Sequence, residues 1–347
     1  MTLKRNFRIL LAICLSSMLI LAACGANTGK EASSTEGQAS EGSSEKKIKI
    51  GITQIVEHAS LDEARRGFLK ALQDNGYEEG NNLEVDFQNA QNDLNNASTI
   101  AQKFASSKLD LVLAIATPSA QAAAQNIKDV PILFTAVTDP VGAGLVKSME
   151  APGSNVTGTT DMHPEAVSTL MEFIHKNVKD VTAVGIMANE GEQNTVANVM
   201  EAQKAIEALG LKVVKAPVTN SSEVKQAAES LAGKVQAIYV PQDNTIVSAL
   251  STVVGVANEK KIPLFVAEKD SVKNGGVASY GFEYFDIGYT TGKMAVDILK
   301  NGKNPAELAV KYPETLDLAL NLKSAASQGF EVTDAMKAEV KPENLFE

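Results

Sequence analysis

From residue 48 onward, short apolar runs alternate with longer stretches of helical periodicity, and this alternation limits the chain to very few architectures. Apolar runs bounded by turn residues predict strands at 48–55, 83–87, 111–116 and 132–136, and again at 181–187, 212–218, 237–240 and 263–267. Between them, amphipathic spacing predicts helices over 61–75, 94–106, 118–127, 194–209, 222–232 and 244–259. Strand–helix alternation of this length requires parallel sheets covered by helices on both faces. The two series match in length and order, which predicts two lobes of like topology: Rossmann-like, with parallel sheets. Segments 157–161, 279–282 and roughly 308–313 read as three passes between the lobes, and such a three-segment hinge permits closure around a ligand. The lobes are expected at 48–158 with 281–310 and at 159–280 with 311–347.

The stretch Leu111-Val-Leu-Ala-Ile-Ala-Thr-Pro-Ser-Ala-Gln121 concentrates the chemistry of this pattern. Its apolar half suits a strand buried on both sides. Thr117 reads as the N-cap of the following helix, Pro118 as its first residue, and Ser119 as a second hydroxyl for the free backbone N–H groups. A helix that begins at the carboxyl end of a buried strand can hold a carboxylate or phosphate, although the same residues also suit an ordinary capped turn.

The front of the chain is of a different kind. Lys4, Arg5 and Arg8 precede an apolar core at 9–21 too short to span a bilayer comfortably, and Leu21-Ala22-Ala23-Cys24 places small residues before a cysteine. This resembles a bacterial lipoprotein signal, which implies removal of residues 1–23, lipidation of Cys24, and anchoring to the cell membrane on its extracytoplasmic side. Cys14 would leave with the signal, and the single remaining cysteine cannot form an internal disulfide or a thiolate cluster. Residues 24–47 hold Ser, Gly, Ala, Glu and Lys in abundance and lack aromatic residues, the composition of a flexible tether. Cleavage would leave 29 basic against 42 acidic residues, a formal charge of about -13. That balance argues against nucleic acid as a partner.

Ligands of open α/β sheets bind beyond the carboxyl ends of the strands. Here those ends carry residues 54–58, 117–119, 137–139, 189–190, 242–244 and 268, nearly all polar. Enzyme motifs fail by comparison. Gly288-Tyr-Thr-Thr-Gly-Lys293 has one residue too few for a phosphate loop and Met294 where a hydroxyl should hold magnesium, so its glycines read as close helix packing. Gly142-Ala-Gly144 lacks the third glycine of a dinucleotide fingerprint, no Gly-x-Ser-x-Gly elbow occurs, and His58, His163 and His175 form no metal-ligand pair at helical spacing. Neither an enzyme nor a cofactor or metal is expected.

Several stretches, in this order and spacing, carry a family resemblance: Ile55-Val-Glu-His-Ala-Ser-Leu-Asp62, Ala116-Thr-Pro-Ser-Ala-Gln121, Val137-Thr-Asp-Pro-Val-Gly142, Asn155-Val-Thr-Gly158, Val240-Pro-Gln-Asp-Asn-Thr-Ile246 and Gly288-Tyr-Thr-Thr-Gly-Lys293. Over its length after the tether the chain resembles the substrate-binding lipoproteins of ATP-binding cassette importers of the tryptophan-binding TrpX type, within the type I periplasmic-binding-protein fold. Ala59 departs from the Pro that many relatives carry there, which bears on the shape of that loop. The resemblance implies a monomer that captures an amino-acid-like ligand, an aromatic one such as tryptophan or tyrosine, and delivers it to a membrane permease with its ATPase subunit. A ligand-sensing lipoprotein receptor, or a binding protein for a sugar or branched aliphatic amino acid, stays open beside it. On this reading Thr117 and Ser119 take the α-carboxylate. Asp243 is the first candidate for the α-ammonium and Asp139, beside Thr138, the second. His58, Tyr280 and Phe282 offer ring contacts, and Gln54, Asn244 and Glu268 orienting hydrogen bonds. The alternatives are helix capping by the two aspartates, core packing by Tyr280 and Phe282, and a solvated loop position for His58.

Overall fold

The computed structural model describes residues 47–347. The expected signal at 1–23, Cys24 and all but the last residue of the tether at 24–47 lie outside the described residues. The first half runs β1 (Ile48–Gln54), α1 (Ala59–Asp74), β2 (Leu83–Asn89), α2 (Leu94–Ser106), β3 (Leu111–Ile115), α3 (Thr117–Asn126), β4 (Ile132–Val137) and β5 (Val156–Thr160). The second continues with α4 (Ala166–Asn177), β6 (Ala183–Ala188), α5 (Gln193–Ala208), β7 (Lys212–Pro217), α6 (Val224–Ser230), β8 (Ala237–Val240), α7 (Asn244–Ser248), α8 (Leu250–Lys260), β9 (Leu264–Val266), α9 (Lys269–Lys273) and β10 (Ala278–Gly281). Then follow α10 (Tyr284–Asn301), β11 (Asp317–Asn321), α11 (Leu322–Gln328), α12 (Asp334–Glu339) and β12 (Leu345–Phe346).

These elements form two sheets, one of order β2-β1-β3-β4-β5 and one of order β12-β11-β10-β9-β8-β6-β7. All pairings are parallel except that β11 runs antiparallel to β10. This is the α/β architecture of two lobes that the alternation predicts. In that antiparallel pair Gly281 and Asp317 are register partners, although the chain between them passes through α10 before it returns. Burial on both sheet faces is visible residue by residue. Val184 and Ile186 enter one apolar cluster with Tyr239 and Phe265, whereas Ala183 and Met187 enter another with Ile238 and Val240.

The passes between the sheets differ in detail from the expected boundaries. The boundary at 158/159 falls inside β5, which stays in the first sheet through Thr160. That at 280/281 falls one residue before the end of β10, and Lys311 still bridges Thr159 of the first sheet, beyond the boundary at 310/311. Backbone pairing sets where the chain leaves each sheet. After the second pass α10 returns to lie against α1. A Cβ on Gly67 would stand 2.0 Å from the Phe285 carbonyl oxygen, and one on Gly288 would stand 1.9 Å from that of Ala64. The glycines at 288 and 292 therefore serve close helix approach, as the motif reading expects. Among the described residues no helix is long and apolar enough to cross a membrane.

Candidate functional site

The carboxyl ends of the two sheets face each other and hydrogen-bond across. Ser60 at the start of α1 donates to Glu268 Oε2 at 2.6 Å, and Asn92 Nδ2 donates to Thr245 Oγ1 at 2.9 Å. Gln242 Nε2 donates to the Asp161 carbonyl at 3.2 Å, in the first pass between the sheets. The lobes are thus closed upon one another.

Two backbone outliers set up the first lobe's contribution. Ala116, between β3 and α3, has φ of 75°, and Ala136 has φ of 56° beside a register shift between β4 and β5. A non-glycine residue held there costs on the order of 1–3 kcal/mol, and such strain clusters where side chains must be aimed. The N-cap of α3 is Ala116, not Thr117 as expected, because the chain turns one residue earlier. Thr117 is consequently the first helical residue and its hydroxyl does not cap the helix. Thr117 Oγ1 and Ser119 Oγ are both fully buried without a hydrogen-bond partner. His58 Nδ1, which follows β1 of the same lobe, is likewise unpartnered, and so, from the second lobe, are Asn194 Oδ1, Asn198 Oδ1 and Gln242 Oε1. Buried polar groups are almost always paired, so a cluster of orphans contributed from both sides marks a place where another molecule completes the bonding.

The acids in this interface carry no counterion. Asp161, which follows β5 and is 3 % exposed, accepts from Thr138 Oγ1 at 2.9 Å and from the Tyr284 hydroxyl at 3.0 Å. Burial raises its carboxyl to about 6, against the pull of those two donors. Glu268, held by Ser60 and Ser271, is raised to about 7, again by burial. Glu192, held by Asn244 and Thr245, is raised by burial and by the nearby Asp243. Among the described residues none of the three forms an ion pair, and no cation is among the strongest influences on them. The buried Lys269 is committed elsewhere, to Glu283 at 3.2 Å and Asp317 at 3.5 Å.

His58, Thr117, Ser119, Thr138, Asn244 and Glu268 come together here, with Thr138 acting on Asp161. Five candidates do not. Asp243 is spent on its own lobe: it caps α7 through Ile246 N at 2.9 Å and accepts from Asn189 N and Thr195 Oγ1. Asp139 accepts from Gly142 N at 2.8 Å, closing its own turn, and lines an open groove of about 560 Å³ with Met200 and Tyr312. Gln54 is saturated by Val56, Asp62 and Arg65, so it braces the loop after β1. Tyr280 packs edge-on against Phe173 of α4 at 5.9 Å in the second lobe's core layer, because alternation along β10 places it on the sheet face that α4 covers. Phe282 stacks on Tyr284 at 5.4 Å in the first lobe's core.

Residue-by-residue reading missed Asp161, Glu192, Asn194 and Asn198. The available signal for Asp161 was its position directly after the polar strand Val-Thr-Gly-Thr-Thr, at a strand end like the others. For Glu192, Asn194 and Asn198 it was the polar start of a helix.

A family model described as ABC transporter substrate binding protein matches residues 49–342. A tyrosine-binding protein from Clostridioides difficile is 43% identical over 302 residues, covering 87% of this chain and 86% of that protein. Among solved structures, an ABC domain in complex with L-Trp from Streptococcus pneumonia is 34% identical with a TM-score of 0.80, covering 85% of this chain and 98% of that one. The ligand-free, open structure of a substrate-binding protein with adhesive properties from Clostridium difficile is 43% identical, yet its TM-score is 0.64 over 86% of this chain and 98% of that one. The better fit to the less similar, ligand-bound structure agrees with the closed arrangement that the cross-lobe hydrogen bonds describe.

Proposed function

The chain belongs to the ABC transporter substrate-binding protein family, and on that premise we propose that it captures an aromatic amino acid between its lobes and hands it to a membrane permease powered by an ATPase subunit. The observation that carries the ligand's zwitterionic end is the pairing of opposites in one closed interface. Thr117 and Ser119 offer free hydroxyls at the start of α3, while Asp161 is a buried carboxylate lacking a cation. The α-carboxylate sits on the former, with the helix's free N–H groups. The α-ammonium sits on Asp161, where the unpartnered Gln242 Oε1 and Asn198 Oδ1 supply further acceptors. Asp161 takes the part for which the sequence offered Asp243 and Asp139. Like the tyrosine-binding relative and the L-Trp-bound structure, the protein holds an aromatic side chain.

We take the lobes that close as 48–160 with 284–311, and 166–281 with 317–347, moving about the three passes. The protein acts as a monomer without catalysis, on the extracytoplasmic face, tethered through a lipid on Cys24. The test is calorimetry of the purified protein with L-tyrosine, L-tryptophan, L-phenylalanine, L-leucine and glucose, with mass spectrometry of whatever copurifies. Binding confined to glucose or L-leucine defeats the aromatic assignment.

A further inference from the structure

Among the unpartnered atoms in the interface, His58 Nδ1 belongs to the strand end farthest in sheet order from that of the ammonium site. His58 follows β1, whereas Asp161 follows β5, and the sheet order β1-β3-β4-β5 separates these strands by three steps. Three steps amount to about 14 Å. A tyrosine, from its ammonium to its phenolic oxygen and with a hydrogen bond at each end, covers roughly the same distance. Thr117 and Ser119, after the intervening β3, lie between the two ends.

His58 is 9 % exposed, and Asn244, whose amide donates to Glu192, acts on its ring. Burial holds the ring well below its ordinary value, at about 4, against the Asn244 bond and the more distant Asp62, Asp270 and Asp243, so the imidazole is neutral. A neutral imidazole that donates from one nitrogen has only a lone pair on the other. With the proton on Nε2, the buried and unpartnered Nδ1 presents that lone pair as an acceptor in the interface.

We infer that His58 Nδ1 accepts a hydrogen bond from a donor on the ligand's ring, the phenolic O–H of tyrosine or the indole N–H of tryptophan, and thereby selects against phenylalanine. This rests on the aromatic amino-acid reading above and adds the residue that discriminates within the class. Phenylalanine fills the same space but leaves the acceptor buried and unpaired, the kind of mismatch that binding sites reject strongly.

The experiment is calorimetry of L-tyrosine, L-tryptophan and L-phenylalanine on the wild type, His58→Leu and His58→Gln, with thermal melting to confirm folding. The wild type is expected to bind tyrosine or tryptophan at least about tenfold tighter than phenylalanine, and whichever of the two is preferred identifies the donor. In His58→Leu the ratio to phenylalanine falls to within about twofold; His58→Gln, whose amide oxygen can accept, retains part of it. Equal binding of all three by the wild type, or a ratio that survives in folded His58→Leu, overturns the role of His58 while leaving the aromatic reading intact. Failure of all three to bind the wild type instead removes the aromatic reading itself.

Discussion

Replacing Asp161 by Asn separates ligand binding from stability. With its carboxyl raised from an ordinary 3.8 to about 6 by burial, keeping it ionised at neutral pH in the ligand-free protein costs on the order of 3 kcal/mol. The Asn side chain keeps the shape, and the Thr138 and Tyr284 hydroxyls can each either donate or accept, so both contacts survive. Ligand-free Asp161→Asn is therefore expected to melt at or above the wild type at pH 7.5, by about 2 °C or more for each kcal/mol recovered. Affinity moves the other way. A charge-assisted bond to an ammonium contributes about 1.5–3 kcal/mol, so the variant should bind its amino acid roughly 10- to 150-fold more weakly. Calorimetry with the copurifying amino acid, together with melting curves with and without it, reads both effects. If the variant binds within about threefold of the wild type, Asp161 does not hold the ammonium; if the ligand-free variant is markedly destabilised, its charge was already compensated.

Further predictions concern the interface and the packing that supports it. Because the free carboxyl titrates near 6 and a bound ammonium favours its ionised form, affinity should rise between about pH 5 and 7 and level off above; calorimetry at pH 6 in two buffers of different protonation heat should register proton release, absent in Asp161→Asn. In the ligand-free protein the sign is reversed. Asp161 and Glu268 bind protons more tightly folded than unfolded, so their contribution to stability is full below about pH 4 and is lost as pH climbs through 6 to 7, and melting of Asp161→Asn and Glu268→Gln should show a weaker decline than the wild type over that window. Ser60→Ala removes a cross-lobe bond to a buried carboxylate, so ligand dissociation should accelerate by roughly five- to tenfold with little change in association, measured by stopped-flow fluorescence. Asp243→Ala strips the cap of α7 and two further donors of their acceptor; its effect should be a loss of about 2 kcal/mol or more in denaturant unfolding, and a pure affinity loss at full stability would return Asp243 to the ligand. Gly288→Ala drives a methyl into the Ala64 carbonyl and should cost about 2–3 kcal/mol or more in the same assay.

Local chemistry was legible in the sequence. Apolar runs and helical spacing placed most elements to within a residue or two, since the buried strands show unbroken Val, Ile, Leu and Ala and the helices their periodic faces. The expected helix at 244–259 divides at Ala249 into α7 and α8, and the short α9 after Glu268 gave too little periodicity to read. Thr117 and Ser119 were recognisable as hydroxyls at a strand-to-helix turn, and Gly288 and Gly292 as packing glycines, because both readings depend on residues adjacent in the chain. Which acid is free for a ligand was not legible in that way. Asp243, Asp139 and Asp161 all sit at strand ends, yet two are consumed by backbone N–H groups three residues on or in a neighbouring strand's loop, and one is sealed among hydroxyls. Capping propensity is a property of a few successive residues, whereas burial without a counterion is decided by five strands and the opposite lobe meeting around a single carboxylate. The face on which Tyr280 lies and the Ser60–Glu268 contact, between residues 208 positions apart, likewise exist only once the sheets are assembled. Sequence alone determined the two βα halves and the hydroxyl-bearing turn; tertiary structure decided which charges face one another, because desolvation acts through space and leaves no local pattern in the chain.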